Sequence, residues 1–153
     1  MIQYRLASID DIEILVKMRI CFLREANNIN VAEEKDLRES NKEYFINSFS
    51  SGSFVAWVAI KNDEIIATSG ISFFELPPNR KCPNGKVADI NNMFTYPEFR
   101  NQGIASTLFD LSVKKARERG CSKIILTATD MGRPLYEKYG FIVTNNHMVY
   151  FTE

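Results

Sequence analysis

The sequence predicts a mixed α/β fold, a mostly antiparallel sheet with a central parallel strand pair, flanked by about four helices. Three observations carry that expectation. Residues 54–60 and 65–74 are apolar β-type runs on either side of Lys61-Asn62-Asp63-Glu64, turn chemistry that makes them the arms of a hairpin. Residues 87–96 form a third β-type run that stops at Pro97, which has no N–H to give a sheet ladder. An amphipathic pattern over 104–119 then leads to a short buried strand at 124–127. Parallel strands joined through a helix form the right-handed crossover unit.

The remaining elements follow in chain order. Residues 2–6 alternate apolar and polar and read as an edge or early strand. Ser8, with Asp11 three residues later, approximates a capping box. It opens a helix that carries Ile12, Leu15, Val16, Arg19 and Leu23 and ends near Asn27 and Asn28. A second helix, over about residues 33–49, presents Leu37, Tyr44, Phe45 and Phe49 and stops at Ser51-Gly52. Glu25, Glu33, Glu34, Asp36 and Glu39 make this region acidic, and a solvated helix face is expected there rather than a wall that attracts cations. The run at 54–60 is apolar enough to be buried on both faces. Residues 75–86, with Pro77-Pro78 and Pro83-Asn84-Gly85, form a long loop without periodicity, a length usually functional or mobile. Gly120 stops the helix over 104–119. Residues 132–139 form a short helix with Pro134 in its first turn, where a missing N–H costs nothing, and Gly140 closes it. Residues 141–143 and 148–151 are expected to be two final antiparallel strands.

Length and composition exclude several function classes. At 153 residues the chain is expected to be one domain, 1–153, and such a chain buries roughly 68–70% of its unfolded surface without a metal or disulfide. Nineteen Lys and Arg balance nineteen Asp and Glu, so no basic field recruits nucleic acid. The N-terminus lacks the parts of a signal peptide, and no run reaches the length of a membrane span. Cys21, Cys82 and Cys121 are odd in number and form no Cys-x-x-Cys pair, which suits a reducing cytoplasm and packing roles. Cys82, in a polar loop, is the thiol expected to be most exposed. A lone His147 supplies no metal cluster and reads as structural.

The stretch 89–108 carries the chemistry. Strand, Gly-containing loop and helix N-terminus make an anion site, because the first N–H groups of a helix have no intrahelical partners and the aligned peptide dipoles add roughly half a positive charge there. Gly103 sits where the chain must turn, and a side chain there would obstruct both the turn and an approaching ligand. No Gly-Lys-Ser/Thr ending and no second and third glycine are present, so neither common phosphate loop fits. The loop Arg100-Asn101-Gln102-Gly103-Ile104-Ala105, after Pro97-Glu98-Phe99, instead follows Arg/Gln-x-x-Gly-x-Gly/Ala. It resembles the acetyl-CoA-binding signature of the GNAT N-acetyltransferase superfamily. Leu135-Tyr136-Glu137-Lys138-Tyr139-Gly140-Phe141 resembles that superfamily's Leu-Tyr-x-x-x-Gly-Phe block, at the separation the family uses. The resemblance covers 54–151 well and the N-terminal third in outline.

That resemblance implies the GNAT acyl-CoA N-acyltransferase fold. It also implies acetyl-CoA as cosubstrate, no metal, and transfer of an acetyl group to a primary amine by direct attack in a ternary complex. In relatives the loop backbone, here Arg100, Asn101, Gln102, Gly103, Ile104 and Ala105, holds the CoA pyrophosphate. Strand backbone, here Met93, Phe94 and Thr95, receives the carbonyl and pantetheine arm. Tyr136 matches a tyrosine facing the CoA sulfur, and a phenol of pKa about 10 is a proton donor for the departing thiolate at neutral pH. Packing is the alternative role for Tyr136, and Tyr139 is a fallback acid whose spacing to Gly140 does not fit. An alkylammonium near pKa 10.4 is neutral in only about one molecule in 2,500 at pH 7, so the acceptor must lose a proton before attack. Asp89 occupies a strand position that holds a glutamate base in some protein-acetylating relatives. Shorter by one methylene, it would act through water, or else it is simply a hydrogen-bonded strand residue. Relatives often carry Asn-x-x-Ala-x-x-Leu-Tyr, with the asparagine on the cofactor arm. Here Thr129 and Gly132 stand at those positions, leaving the Thr129 hydroxyl or Asp130 to replace it.

Two other readings compete with the enzyme. A GNAT-fold acyl-CoA-binding regulatory module would lack turnover, and a nucleotide-phosphate enzyme would need a metal-holding acidic motif that the sequence lacks after the loop. The amine acceptor falls to the least family-like parts: the two N-terminal helices, the 75–86 loop and the final hairpin around 145–147. Open sheet edges and the apolar 148–151 run allow a homodimer.

Overall fold

A computed structural model describes residues 1–144 and 146–153. Its sheet has five strands in sequence order: β1 (Gln3–Leu6), β2 (Phe54–Lys61), β3 (Glu64–Glu75), β4 (Lys86–Thr95) and β5 (Lys123–Leu126). The first three pairings are antiparallel and β4 pairs with β5 in parallel. Four α-helices surround it: α1 (Ile12–Asn27), α2 (Val31–Ser51), α3 (Ile104–Glu118) and α4 (Arg133–Tyr139). None of the described helices is long and apolar enough to cross a membrane.

Alternation along the strands sorts the side chains onto two layers. Phe54, Ala56 and Val58 of β2 pack with Ile12, Leu15 and Val16 of α1 and Phe45 of α2. On the other face, Ile71 and Ala88 meet Ala116, while Ile90 meets Phe109 and Val113, all three partners belonging to α3. The helix starts match the sequence signals. Ser8 and Asp11 form a reciprocal capping box ahead of α1, and Asp11 also accepts two bonds from Arg5 at 2.7 and 3.0 Å, tying β1 to that helix. Asn30 and Glu33 make a second box that the sequence reading missed, so α2 begins earlier than expected.

Three expectations need correction. The described residues among 141–153 form no strand; Ile142, Val143, Met148, Val149, Tyr150 and Phe151 lie exposed. The parallel pair therefore sits at one edge of the sheet instead of its centre. Asn145, within the expected final hairpin, lies outside the described residues. Cys82 is buried, its Sγ 3.2 Å from the Ser122 hydroxyl, because the 76–85 loop folds back on itself through Asn79–Cys82 backbone bonds. The acidic stretch is mostly engaged: Glu34 bridges Arg24 and Arg38, Glu33 caps α2, and Glu25 holds Arg100.

One glycine is dictated by packing. A Cβ on Gly70 would stand 2.6 Å from the Phe54 ring and 3.0 Å from the Asn91 side-chain oxygen. Phe54 is itself held between Tyr44, Phe45 and Phe49, with centroids 5.3–5.7 Å away, so it cannot yield cheaply. Gly70→Ala should cost about 1–3 kcal/mol by overpacking, read as a lower urea midpoint at unchanged slope.

Candidate active site

The site begins with a fault in β4. Asn91 pairs with Gly70 and Phe94 with Thr68, so Ser69 alone faces the two residues Asn92 and Met93. That is a β-bulge, and Asn92 takes a left-handed φ of 52°. On its other edge β4 pairs with β5 only as far as Ile90 opposite Leu126. Past that point the two parallel strands part. The gap is a cavity of about 40 Å³ lined by Ile90, Asn91, Asn92, Met93, Thr127, Thr129, Tyr136 and, from α1, Phe22. Asn92 is 4% exposed, yet neither polar atom of its side chain has a partner among the described residues. A buried amide left without hydrogen bonds costs about 1–3 kcal/mol, so a polar group entering this gap would be held there.

At the end of β4 the chain passes through a short 3-10 turn (Pro97–Phe99) into the loop 100–103 and α3. Asn101 and Gly103 both have positive φ, 62° and 79°. The Thr107 N–H is the first to bond back, to the Gly103 carbonyl at 3.2 Å. Among the described residues, the N–H groups of Asn101, Gln102, Gly103, Ile104, Ala105 and Ser106 have no backbone partner. Arg100 is different. Its N–H closes onto the Pro97 carbonyl, its Nε donates to the Thr95 carbonyl at 2.9 Å, and its guanidinium reaches Glu25 at 2.7 Å while lying over the Phe94 ring. That side chain fastens the loop to α1. A Cβ at Gly103 would meet nothing within 4 Å, so the constraint there is the backbone angle, not crowding within the protein.

Tyr136 closes the gap from α4. It is nearly buried against Phe109 (centroids 5.1 Å apart), and its hydroxyl donates to the Met93 sulfur at 3.4 Å. Burial pushes the phenol pKa up, which keeps it protonated at neutral pH. Gly132 explains one departure from the family pattern: a Cβ there would fall 2.9 Å from the Tyr136 hydroxyl. Thr129 accepts from the Gly132 N–H, at 3.2 Å through its hydroxyl, so it orders the start of α4 while lining the gap. Tyr139 points elsewhere, to Asp110 of α3 at 3.2 Å.

A second group of residues lies toward α1 and α2, adjoining Asn91 and Phe22 of the gap's lining. Asp89 stands opposite Ser72, whose Oγ lies 2.8 Å from the Tyr44 hydroxyl and accepts from Asn91 at 2.9 Å. The Asp89 carboxyl is half-buried with no ionic or hydrogen-bonding partner among the described residues, and desolvation raises its pKa. Arg19 is partly buried, lies 5.3 Å over the Phe22 ring and interacts electrostatically with Tyr44. It too has no ion pair among the described residues, and desolvation lowers its pKa.

A strand that runs through a Gly-containing loop into the free N-terminus of a helix is the arrangement expected from the sequence. Residues 19–141 match the Acetyltransferase (GNAT) family. The chain belongs to that family. A predicted acetyltransferase of Clostridium acetobutylicum, crystallised with acetyl-CoA, is 37% identical over 99% of this chain and 96% of its own, with a TM-score of 0.90. A GCN5-related N-acetyltransferase of Ralstonia eutropha is 26% identical over the whole of both chains, with a TM-score of 0.92. Glucosamine-6-phosphate N-acetyltransferase of Arabidopsis thaliana shares the fold at 19% identity and a TM-score of 0.72. No curated protein matches the chain. Acetyl-CoA is the family's acetyl donor, and the described residues hold no group of three or more His, Cys, Asp or Glu fit for a metal ion.

Of the residues singled out from the sequence, Met93, Thr129 and Tyr136 line the gap, and Asp89 directly precedes Ile90 of its lining; the 101–105 loop leads into α3. Phe94 is buried under Arg100, and Thr95 offers its carbonyl to that side chain. Sequence reasoning passed over Asn92 and Arg19. Two consecutive asparagines inside a β-type run, where asparagine is depleted, were the signal for the first. Gly103→Val forces a β-branched residue into a left-handed angle. It should lose about 1–2 kcal/mol of stability and weaken acetyl-CoA binding roughly tenfold by calorimetry; unchanged affinity would refute the loop assignment.

Proposed function

We propose that this GNAT acetyltransferase moves the acetyl group of acetyl-CoA to a primary amine by direct attack within a ternary complex. The observation that carries the proposal is the gap between β4 and β5, lined by a buried phenol and an orphaned amide, with the carboxylate of Asp89 on the same strand, next to Ile90 of its lining. Acetyl-CoA supplies a thioester, and everything else falls to the chain. The free N–H groups of 101–106 hold the pyrophosphate, with Arg100 keeping their loop in shape. The β4 backbone at 93–95, past its last pairing with β5, and the Asn92 side chain receive the amide-rich arm and the thioester carbonyl. Tyr136 keeps its proton at neutral pH and delivers it to the departing sulfur.

Asp89 takes the amine proton. A carboxylate beside the gap must be ionised to do so, and its raised pKa moves the acidic limb of kcat/KM to higher pH than an ordinary aspartate gives. The same shift has a stability sign. The native state binds this proton more tightly than the unfolded chain does, so the contribution is present at low pH and lost as pH rises through the native value. Asp89→Asn should therefore be more stable than the parent at pH 7, equal to it below about pH 3.9, and lack the acidic limb. An unshifted pH–rate profile would return Asp89 to a structural role.

Arg19 and Asp89 together support an acceptor that carries an anionic group as well as its amine. Each is a charge removed partly from water without a partner, which costs free energy unless a ligand supplies the opposite sign. Thiol release from acetyl-CoA across a panel of plain amines and amino acids tests both levels. Turnover should appear with amines and be highest when a carboxylate accompanies them. Tyr136→Phe should lower kcat roughly a hundredfold while leaving acetyl-CoA affinity nearly unchanged. Cofactor binding with no turnover on any amine would instead identify a binding module.

A further inference from the structure

The gap between β4 and β5 is small. At about 40 Å³ it takes roughly three water-sized groups, each of which needs about 10–15 Å³. The carbonyl carbon, oxygen and methyl of an acetyl group fill that space, and every further methylene of a longer acyl chain has to displace a wall. Which wall can yield depends on what stands behind it.

Five of the lining residues are polar: Asn91, Asn92, Thr127, Thr129 and Tyr136. An acyl tail has nothing to offer them and turns to the apolar part of the lining, Ile90, Met93 and Phe22. Ile90 is 3% exposed and backed by Phe109 and Val113 of α3, so the floor is closed by close packing. Met93 is engaged through its sulfur by the Tyr136 hydroxyl. Phe22 is the one lining residue that comes from α1, and it faces the gap from outside the β4–β5–α4 unit. Its neighbours Ile20 and Leu23 are buried. Asp11 and Arg5 tie the start of α1 to β1, and Glu25 and Arg100 tie its last turns to the loop after β4. The helix is therefore held against the sheet on both sides of Phe22. The ring itself lies under the Arg19 guanidinium, 5.3 Å from its centroid, a cation–π contact that fixes its place.

We propose that Phe22 sets the length of acyl chain this protein accepts, its ring closing the gap to groups longer than acetyl. The proposal rests on the reading that the gap receives the thioester, and it adds the residue that chooses between donors. Removing the ring opens the gap toward α1. The groups assigned to the pyrophosphate, the carbonyl and the departing sulfur lie on other elements and stay where they are. In an apolar pocket one methylene more or less changes specificity roughly ten- to two-hundredfold.

The test is kcat/KM for acetyl-, propionyl- and butyryl-CoA with one acceptor amine. The parent is expected to favour acetyl- over propionyl-CoA roughly tenfold or more. Equal use of the two overturns the proposal. Phe22→Ala should raise the propionyl-to-acetyl ratio roughly tenfold, whatever happens to the absolute rates. A ratio unchanged from the parent's overturns it. If F22A fails to fold, Phe22→Leu, which keeps an apolar side chain but gives up the ring, decides by the same ratio in the same direction. Calorimetry without an amine separates this proposal from the reading it rests on. Should no amine be turned over, the acyl-transfer reading fails, and binding still judges Phe22. Tighter binding of acetyl- than of butyryl-CoA by the parent, lost in the variant, supports the assignment. Equal affinities in the parent, or a preference that the variant keeps, overturn it.

Discussion

The bulge at Asn91–Met93 is the constraint on which the site depends. A regular β4 would continue its parallel ladder with β5 past Ile90, and the two strands would close over the space that a ligand needs. One extra residue against Ser69 breaks that continuity. The strain is local, a left-handed φ at Asn92 of the kind that non-glycine residues adopt at a cost of about 1–3 kcal/mol. What it opens is a gap with polar groups at its walls and hydrophobic packing behind them. Phe109 and Ile90 anchor its floor, and Tyr136 is held over it because Gly132 has no side chain to push the ring aside.

Several features of the site oppose stability and make sense only as preparation for a ligand. Among the described residues, Asn92 keeps two unbonded polar atoms in the interior, Asp89 and Arg19 are desolvated without partners, and six N–H groups at the start of α3 have no backbone bond. A chain folded for stability alone would pair or solvate these groups. Elsewhere it does so: Asp11 is neutralised by Arg5, and Ser69 meets the Ser112 hydroxyl at 2.8 Å in the buried layer between β3 and α3. The contrast separates the site from its scaffold.

Much of this was legible in the sequence, for physical reasons. Hairpin turn chemistry at 61–64, the capping box at Ser8 and the glycines at 103, 120 and 140 act locally, and the elements they bound formed where expected. Tyr136 and the loop were singled out because the roles proposed for them demand particular residues at particular spacing. Asn92 was not, since a bulge is a relation between two strands and leaves no local period. Arg19 occupied a helix position that reads as ordinary amphipathic pattern, and only the fold shows that it has no ion pair among the described residues. The 148–151 run was read as a strand from its composition, and the described residues there form none, because composition favours a strand without supplying the partner it must pair with. Cys82 was misjudged because a polar loop that folds back on itself buries its own interior.

The central claim is that the bulge-opened gap and the start of α3 form one acetyl-CoA site. Titrating isotope-labelled protein with acetyl-CoA, and following backbone amide resonances, tests it most directly. The account predicts that the largest shifts fall on 101–106, on 91–95 of β4 and on 127–136, with β1 and the 76–85 loop unmoved. Shifts confined to the 76–85 loop and the far end of β4, with residues 101–106 silent, would contradict it.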